Sequence, residues 1–379
     1  MPAQNNRQVA KNGSLPELEY NSMNAGKTGN SLPRRMLSGL VMVLFGTAVA
    51  LLVFEIIVRI FFEEPIMPRF VMDPGYGVRA QQPNIVTRHY MPGEYEITIS
   101  TNSGGMRGKR DYSLKKPEGV YRIALLGDSF IYGHGVNDPE VVSAVLEGRL
   151  NSQAGAAGTR YEVLNFGVSG FGQAEELITY RENVRKYNPD AVVVFYFDND
   201  IGNNAVSRLY RVDDEGNLVR DADSYLPGVK AREIMYSIPP VRWLFEYSQG
   251  WNLIRNRLSS LVQKSLLKQQ GLRSFNDTSE DAVELTRALL VQFIADIRGD
   301  GAQPIIFIIP HKKMKSNFPL EKRVINSEGA MLINGNDFMD ASDYYVIDSH
   351  WNASGHKKAA AVIAQRILDG VATGVPVSR

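Results

Sequence analysis

Four short polar clusters hold the side chains best suited to chemistry: Gly127-Asp128-Ser129-Phe130, Asn165 through Gly172, Asp198-Asn199-Asp200, and Asp348-Ser349-His350-Trp351-Asn352. Together they supply a serine, a glycine-rich loop, an asparagine and an Asp/His pair. Acyl transfer needs these parts. A serine is a weak nucleophile without a neighbouring base, the base needs an acid to orient it, and the tetrahedral oxyanion needs preorganised donors. The chain has no cysteine, which excludes a thiol nucleophile, a disulfide scaffold and any Cys-ligated metal site. Taken singly, each cluster has a plainer reading. Gly-Asp-Ser is a common turn, and the glycine loop fits a tight βα bend or a weak phosphate-binding loop. Asp198 and Asp200 fit solvated carboxylates, or a partial cation site with too few ligands. Neither a metal nor a cofactor is expected.

The clusters share a position: each follows a solid apolar run. The runs Tyr121–Leu126, Tyr161–Phe166, Ala191–Phe197, Pro304–Ile309 and Tyr344–Ile347 do not alternate, so they predict strands covered on both faces. Between them, Pro139–Leu150, Ala174–Tyr187, Glu280–Ile297 and Ala353–Val371 predict helices. Alternating strands and helices predict an α/β fold, a doubly wound five-stranded parallel sheet. Ligands of such sheets sit at the carboxyl ends of the strands, so the four clusters are expected along one edge.

Other polar residues are less telling. His134, five residues after Ser129, fits a structural role or a place in the cleft. His311, Lys312, Lys313 and Lys315 follow the fourth run and fit a solvated basic loop or a subsite for an acidic glycan. Asn352 is expected to cap the last helix, with His356 on the surface of its first turn. Residues 201–279 form an insertion with a helical, aromatic-rich region around Val241–Leu267, expected to act as a cap or a substrate-side elaboration.

The 379 residues are 44% apolar and 22% charged with a net charge of +1, a globular average that gives no support to broad nucleic-acid binding. The averages conceal an uneven chain. Residues 1–33 are polar and without periodicity, which predicts a disordered cytoplasmic tail. Residues 34–62 read as a transmembrane signal anchor: after Arg34-Arg35, Met36 to Phe54 carries no charge, about 19 residues or roughly 28 Å of helix, close to a bilayer's hydrocarbon thickness. Glu55 and Arg59, four apart, are expected to pair or snorkel at the far interface. A cleaved signal peptide would have a shorter apolar core and small residues at a cleavage site; Phe61, Phe62, Glu63 and Glu64 follow instead. Lys27, Arg34 and Arg35 precede the span, which predicts a single-pass inner-membrane protein with its N-terminus in the cytoplasm and its catalytic domain periplasmic or extracellular. Residues 63–118 form a β-rich linker with one alternating strand, Tyr95–Ile99, and residues 119–379 form the α/β body.

The four clusters, in this order, resemble the SGNH/GDSL hydrolase family over residues 119–371. That resemblance implies a flavodoxin-like SGNH fold and assigns roles. Ser129 would be the nucleophile, with its backbone N–H as one oxyanion donor. Gly170, in Asn-x-Gly-x-x-Gly, would be the second donor and the Asn199 amide the third. His350 would be the base and Asp348 its acid. Asp128, Asp200, Lys312 and Lys313 are weaker candidates for substrate contact. Two features depart from the family pattern. Phe197 stands where a glycine is usual, and one residue rather than two separates Asp348 from His350, so a Ser–His dyad is an alternative. The Asp-x-His-Trp form is locally similar to alginate O-acetylation proteins.

The function expected is a membrane-anchored extracytoplasmic serine esterase that deacylates acylated carbohydrate or another ester. Its partners are then the bilayer, through residues 36–62, and the substrate, with no nucleic acid. One alternative is an O-acyltransferase for cell-surface polysaccharide, supplied with acyl groups by a membrane partner. Another is a non-catalytic glycan-binding or scaffold module.

Overall fold

The computed structural model describes residues 31–153, 158–269, 279–313, 318–319, 325 and 328–372. Of the tail expected over residues 1–33, residues 1–30, with Lys27, lie outside them, as does Lys315; residues 31–33 are helical rather than disordered. The chain divides into two units, Met1–Val53 and Phe54–Arg379. Helix α1 (Ser31–Phe61) is continuous, and its stretch Met36–Phe61 is long and apolar enough to cross a membrane. Nearly all of its large apolar side chains are exposed, unlike those of a core helix. Glu55 and Arg59 form the expected i,i+4 pair, 2.8 Å apart.

The approach to the α/β body is built from two small antiparallel pairs. β1 (Val71–Met72) pairs with β2 (Ala80–Gln81), and β3 (Val86–Met91) pairs with β4 (Tyr95–Ser100). In β4, Tyr95, Ile97 and Ile99 are buried while Glu96 and Thr98 are exposed, the expected alternation.

The body's strands are β5 (Val120–Leu126), β6 (Arg160–Asn165), β7 (Ala191–Tyr196), β10 (Gln303–Ile308) and β11 (Met331–Asn334). They form one parallel sheet in the order β6-β5-β7-β10-β11, a doubly wound order whose direction reverses between β5 and β7. Every residue of β7 is buried, which is why its sequence is solid rather than alternating. Its side chains divide between two cores. Val192, Val194 and Tyr196 pack with α4 (Gln173–Glu182) and α9 (Glu280–Gly299). Ala191, Val193 and Phe195 pack with α3 (Val142–Gln153) and α10 (Ala353–Ala372). Between β7 and α9 lie α5 (Asn199–Ser207), a hairpin of β8 (Tyr210–Val212) and β9 (Leu218–Arg220), and helices α6 (Val229–Ser237), α7 (Pro239–Tyr247) and α8 (Gln249–Gln269). Phe70 from the approach packs with Tyr236 and Phe245, so α6 and α7 share a small core with the N-terminal approach.

One expected strand is elsewhere. Tyr344–Ile347 makes only an isolated bridge, Tyr344 to Trp351, and leaves Val346 and Ile347 exposed. The fifth strand is Met331–Asn334, beside β10. Its four residues run into Asn334-Gly335-Asn336, a turn-forming sequence that hides so short a strand. The cluster around His350 therefore lies on a loop rather than directly behind a strand.

Candidate active site

Ser129 opens α2 (Ser129–Tyr132), a single turn directly behind β5. Asp128 caps that turn, its Oδ1 accepting from the Phe130 N–H at 2.9 Å. Gly127 lets the chain turn this tightly: a Cβ there would stand 2.4 Å from Cγ1 of Ile131 and 3.2 Å from Cβ of Phe195. The serine is thereby held at the carboxyl end of β5, beside the point where the sheet reverses direction.

The loop before α10 brings the imidazole to it. Nε2 of His350 lies 2.8 Å from Oγ of Ser129, and Nδ1 lies 3.1 Å from Oδ1 of Asp348. The one-residue spacing is accommodated by Ser349, whose φ of 63° is in the left-handed region. Its neighbours can then fold onto each other. The Ser–His dyad expected as an alternative is not the observed arrangement, because the carboxylate is in place.

Asp348 is itself tightly held. The Tyr95 hydroxyl donates to its Oδ2 at 2.7 Å, and its backbone N–H donates to Glu94 Oε2 at 2.8 Å. Burial works to raise the Asp348 pKa, but the bond and charge of His350, with His134 and Tyr95, hold it down to about 2. Burial and the adjacent Asp348 charge push the Tyr95 hydroxyl up, so it remains a donor. His134 lies in this layer too: its ring centroid is 4.5 Å from that of His350, and its Nε2 is 3.7 Å from Asp348 Oδ2. Burial, and then the neighbouring His350, push His134 well below the usual imidazole range. His134, Asp348 and His350 offer atoms within 4.8 Å of one another, a spacing a metal ion would accept. Asp348 and His350 are already bonded to each other, however, and His350 to Ser129.

The other expected donors lie on the neighbouring βα turns. Gly170 has a φ of 76°, which favours glycine there. Arg79 clamps this loop, donating to the Ser169 carbonyl at 3.1 Å and the Gly170 carbonyl at 2.8 Å, and pairing with Glu175 at 2.7 Å. In a trans peptide the C=O and the next N–H point opposite ways, so fixing the Ser169 carbonyl on Arg79 aims the Gly170 N–H away from it. Asn199 starts α5 behind β7, where its side chain favours the ionised form of the Asp128 carboxylate.

Several expectations are corrected. Asp128 and Asp200 are 2% and 1% exposed, and their carboxylates bond inward, so substrate contact is replaced by structural work. Asp200 accepts from the Gln173 side chain at 2.5 Å and the Phe197 N–H at 2.9 Å. Burial, then the charge of Asp128, pushes the Asp200 pKa well up. Lys312 donates to the carbonyls of Tyr345 and Val346, at 2.9 and 3.0 Å, so it fastens the loop leading to His350. Lys313 is exposed, and His311 bonds Asp198 at 3.0 Å. Asn352 caps α10 as expected, accepting from the Ser354 N–H at 2.9 Å. His356 is buried instead of exposed, and its Nδ1 accepts from the Val142 N–H at 3.2 Å. Arg79, Glu94 and Tyr95 were not foreseen as site residues; the one signal was the alternating strand that carries Tyr95.

A serine, its imidazole and a carboxylate, hydrogen-bonded in sequence at the edge of a doubly wound parallel sheet, define the class of serine acyl-ester hydrolases. The chain belongs to the GDSL-like lipase/acylhydrolase family, whose model matches residues 123–363, and is an ester-hydrolysing enzyme of that family. It is similar in structure to the lipase/acylhydrolase from Enterococcus faecalis, at 14% identity over 65% of this chain and 95% of that one, with a TM-score of 0.36. It is also similar to a psychrotrophic esterase from a Pseudoalteromonas species, at 15% identity over 66% and 97%, with a TM-score of 0.33. A third similar structure is a mutant of an acetyl-xylooligosaccharide esterase from Geobacillus Stearmophilus, at 13% identity over 65% and 94%, with a TM-score of 0.37. No curated protein sequence matches the chain.

Proposed function

We propose that the chain is a membrane-anchored, extracytoplasmic serine esterase that removes acyl groups, with acylated carbohydrate as its substrate class, through an acyl-serine intermediate. The reading rests above all on the 2.8 Å approach of Ser129 Oγ to His350 Nε2. Ser129 Oγ attacks the ester carbonyl carbon as His350 Nε2 takes its proton. Asp348, held anionic, stabilises the imidazolium that forms. The N–H groups of Ser129 and Gly170 and the amide of Asn199 receive the developing oxyanion. When the tetrahedral intermediate collapses, His350 returns the proton to the leaving alkoxide, releasing the alcohol. Water then attacks the acyl-serine, giving up a proton to His350. The carboxylic acid departs and Ser129 regains its proton.

The anchor and its orientation are supported by the length and apolarity of Met36–Phe61 and by the arginines before it. The test is hydrolysis of a short-chain acyl ester and of acetylated oligosaccharides by the full chain. Ser129→Ala is expected to lower kcat by at least about 10³-fold with the fold intact. Wild-type turnover in that variant overturns the reading.

A further inference from the structure

The insertion helices carry apolar side chains that the protein leaves uncovered. On α7, Trp243 and Tyr247 are exposed at i and i+4, with ring centroids stacked 6.1 Å apart. On α8, Ile254, Leu258 and Leu261 are exposed at i, i+4 and i+7, one continuous helical face. Single exposed apolar residues are ordinary, but five large ones arranged along two consecutive helices are a surface with an occupant.

The fastening of these helices says what that occupant is. The Glu55 carboxylate, in the last turns of α1, accepts from the Gln249 and Gly250 N–H groups, both at 2.9 Å, and from the Ser248 hydroxyl at 2.7 Å. It thus satisfies the free N–H groups at the start of α8, where a carboxylate is favoured. Arg59 donates at 2.6 Å to the carbonyl of Tyr247, whose ring is exposed. Glu64 completes the attachment: its N–H donates to the Gln249 side chain at 2.6 Å, and its carboxylate accepts from Asn256 at 2.9 Å. The junction of α7 and α8 is therefore bonded to the very turns at which a helix spanning Met36–Phe61 leaves the hydrocarbon. An exposed Trp/Tyr pair at that level, followed by an aliphatic face with exposed Arg257 beside it, matches the side chains that settle among lipid headgroups.

We infer that the α7–α8 face is a membrane-docking surface: Trp243, Tyr247, Ile254, Leu258 and Leu261 enter the interfacial layer of the bilayer. The inference rests on the reading of Met36–Phe61 as a membrane span. It adds a second, peripheral attachment to the bilayer beside the span.

The test reconstitutes the full chain in phosphatidylcholine vesicles with or without brominated acyl chains and reads tryptophan emission. Of the three tryptophans, Trp351 is buried and Trp251 is partly buried, so subtracting the signal of Trp243→Phe isolates Trp243. Brominated lipid is expected to lower the Trp243 emission by about twofold, as for an indole at the headgroup–acyl boundary. The double variant Leu258→Glu, Leu261→Glu should lose most of that quenching while hydrolysing a soluble ester at the wild-type rate. Extraction with alkaline carbonate reads the span separately. A chain that resists extraction but shows no quenching of Trp243 overturns the inference and leaves the span standing. A chain that is extracted yet is quenched at neutral pH keeps the docking face and overturns the span. If Trp243 is unquenched by lipid and also shielded from aqueous iodide, a second copy or a partner protein covers the face, and the inference falls.

Discussion

Ser129 stands 221 residues before His350, whose partner Asp348 is its near neighbour in sequence, yet each of the three is fixed by contacts that leave it little freedom. The most informative of these neighbours is Tyr95, which reaches in from a hairpin outside the span that the family model matches. Its hydroxyl and His350 together occupy both oxygens of Asp348, so the carboxylate cannot rotate without losing a charge-assisted bond. Tyr95→Phe deletes only the hydroxyl. Because a hydrogen bond to a charged group is worth about 1.5–3 kcal/mol, kcat is expected to fall roughly tenfold to a hundredfold with KM little changed. Steady-state kinetics on a soluble ester would read this, and an unchanged kcat would make Tyr95 a packing residue only. The serine, the histidine and the aspartate were legible from the sequence because their chemistry is particular and their order is conspicuous. Tyr95 and Arg79 were not, since they act from far earlier in the chain and nothing about a tyrosine or an arginine announces a distant partner. Asp128 and Asp200 were misread for the opposite reason: a carboxylate near a site suggests ligand contact, and only packing reveals that it faces inward.

At the level of elements, the solid apolar runs identified four of the five strands, because a strand buried on both faces has no reason to alternate. The fifth was displaced to Met331–Asn334, since Tyr344–Ile347 has the composition of a strand but no neighbour to pair with. Helix α4 shows a cost that composition does not reveal. Glu176 is 1% exposed, and neither of its carboxylate oxygens has a hydrogen-bond partner. Burial, and then the charges of Asp200, Asp128 and Glu175, push its pKa well above the usual carboxylate range. A carboxyl whose pKa is raised by folding contributes stability that is fully present below its unfolded pKa, about 4.3, and is lost as pH rises toward the folded value. The wild-type chain should therefore lose thermal stability as pH rises from about 4.3 through neutrality, and Glu176→Gln should lose less over the same interval. Thermal unfolding of the two proteins across that range measures it; parallel losses would show that Glu176 is not the source.

On the scale of the whole molecule, the charge-free run of Met36–Phe54 was readable because a bilayer demands a length and an apolarity that few soluble helices combine. The insertion was less legible: its helical character could be seen, but not that α6 and α7 would pack on the N-terminal approach and α8 bond to the last turns of α1. Such pairings join residues nearly two hundred positions apart, and local pattern carries no trace of them. The proposed orientation makes a direct prediction. Alkaline phosphatase, which folds only outside the reducing cytoplasm, should be active when fused after Arg379 and inactive when fused to the N-terminus of the full chain. The reverse pattern would place the esterase site inside the cell.

The central claim is that His350 activates Ser129 for acyl transfer, and covalent labelling with a fluorophosphonate tests it most directly. Wild-type protein should incorporate one phosphonyl group, mapped by peptide mass to Ser129. Labelling should be absent in Ser129→Ala and slowed by at least about 10³-fold in folded His350→Ala. Modification at another residue, or labelling of His350→Ala at the wild-type rate, would contradict the account.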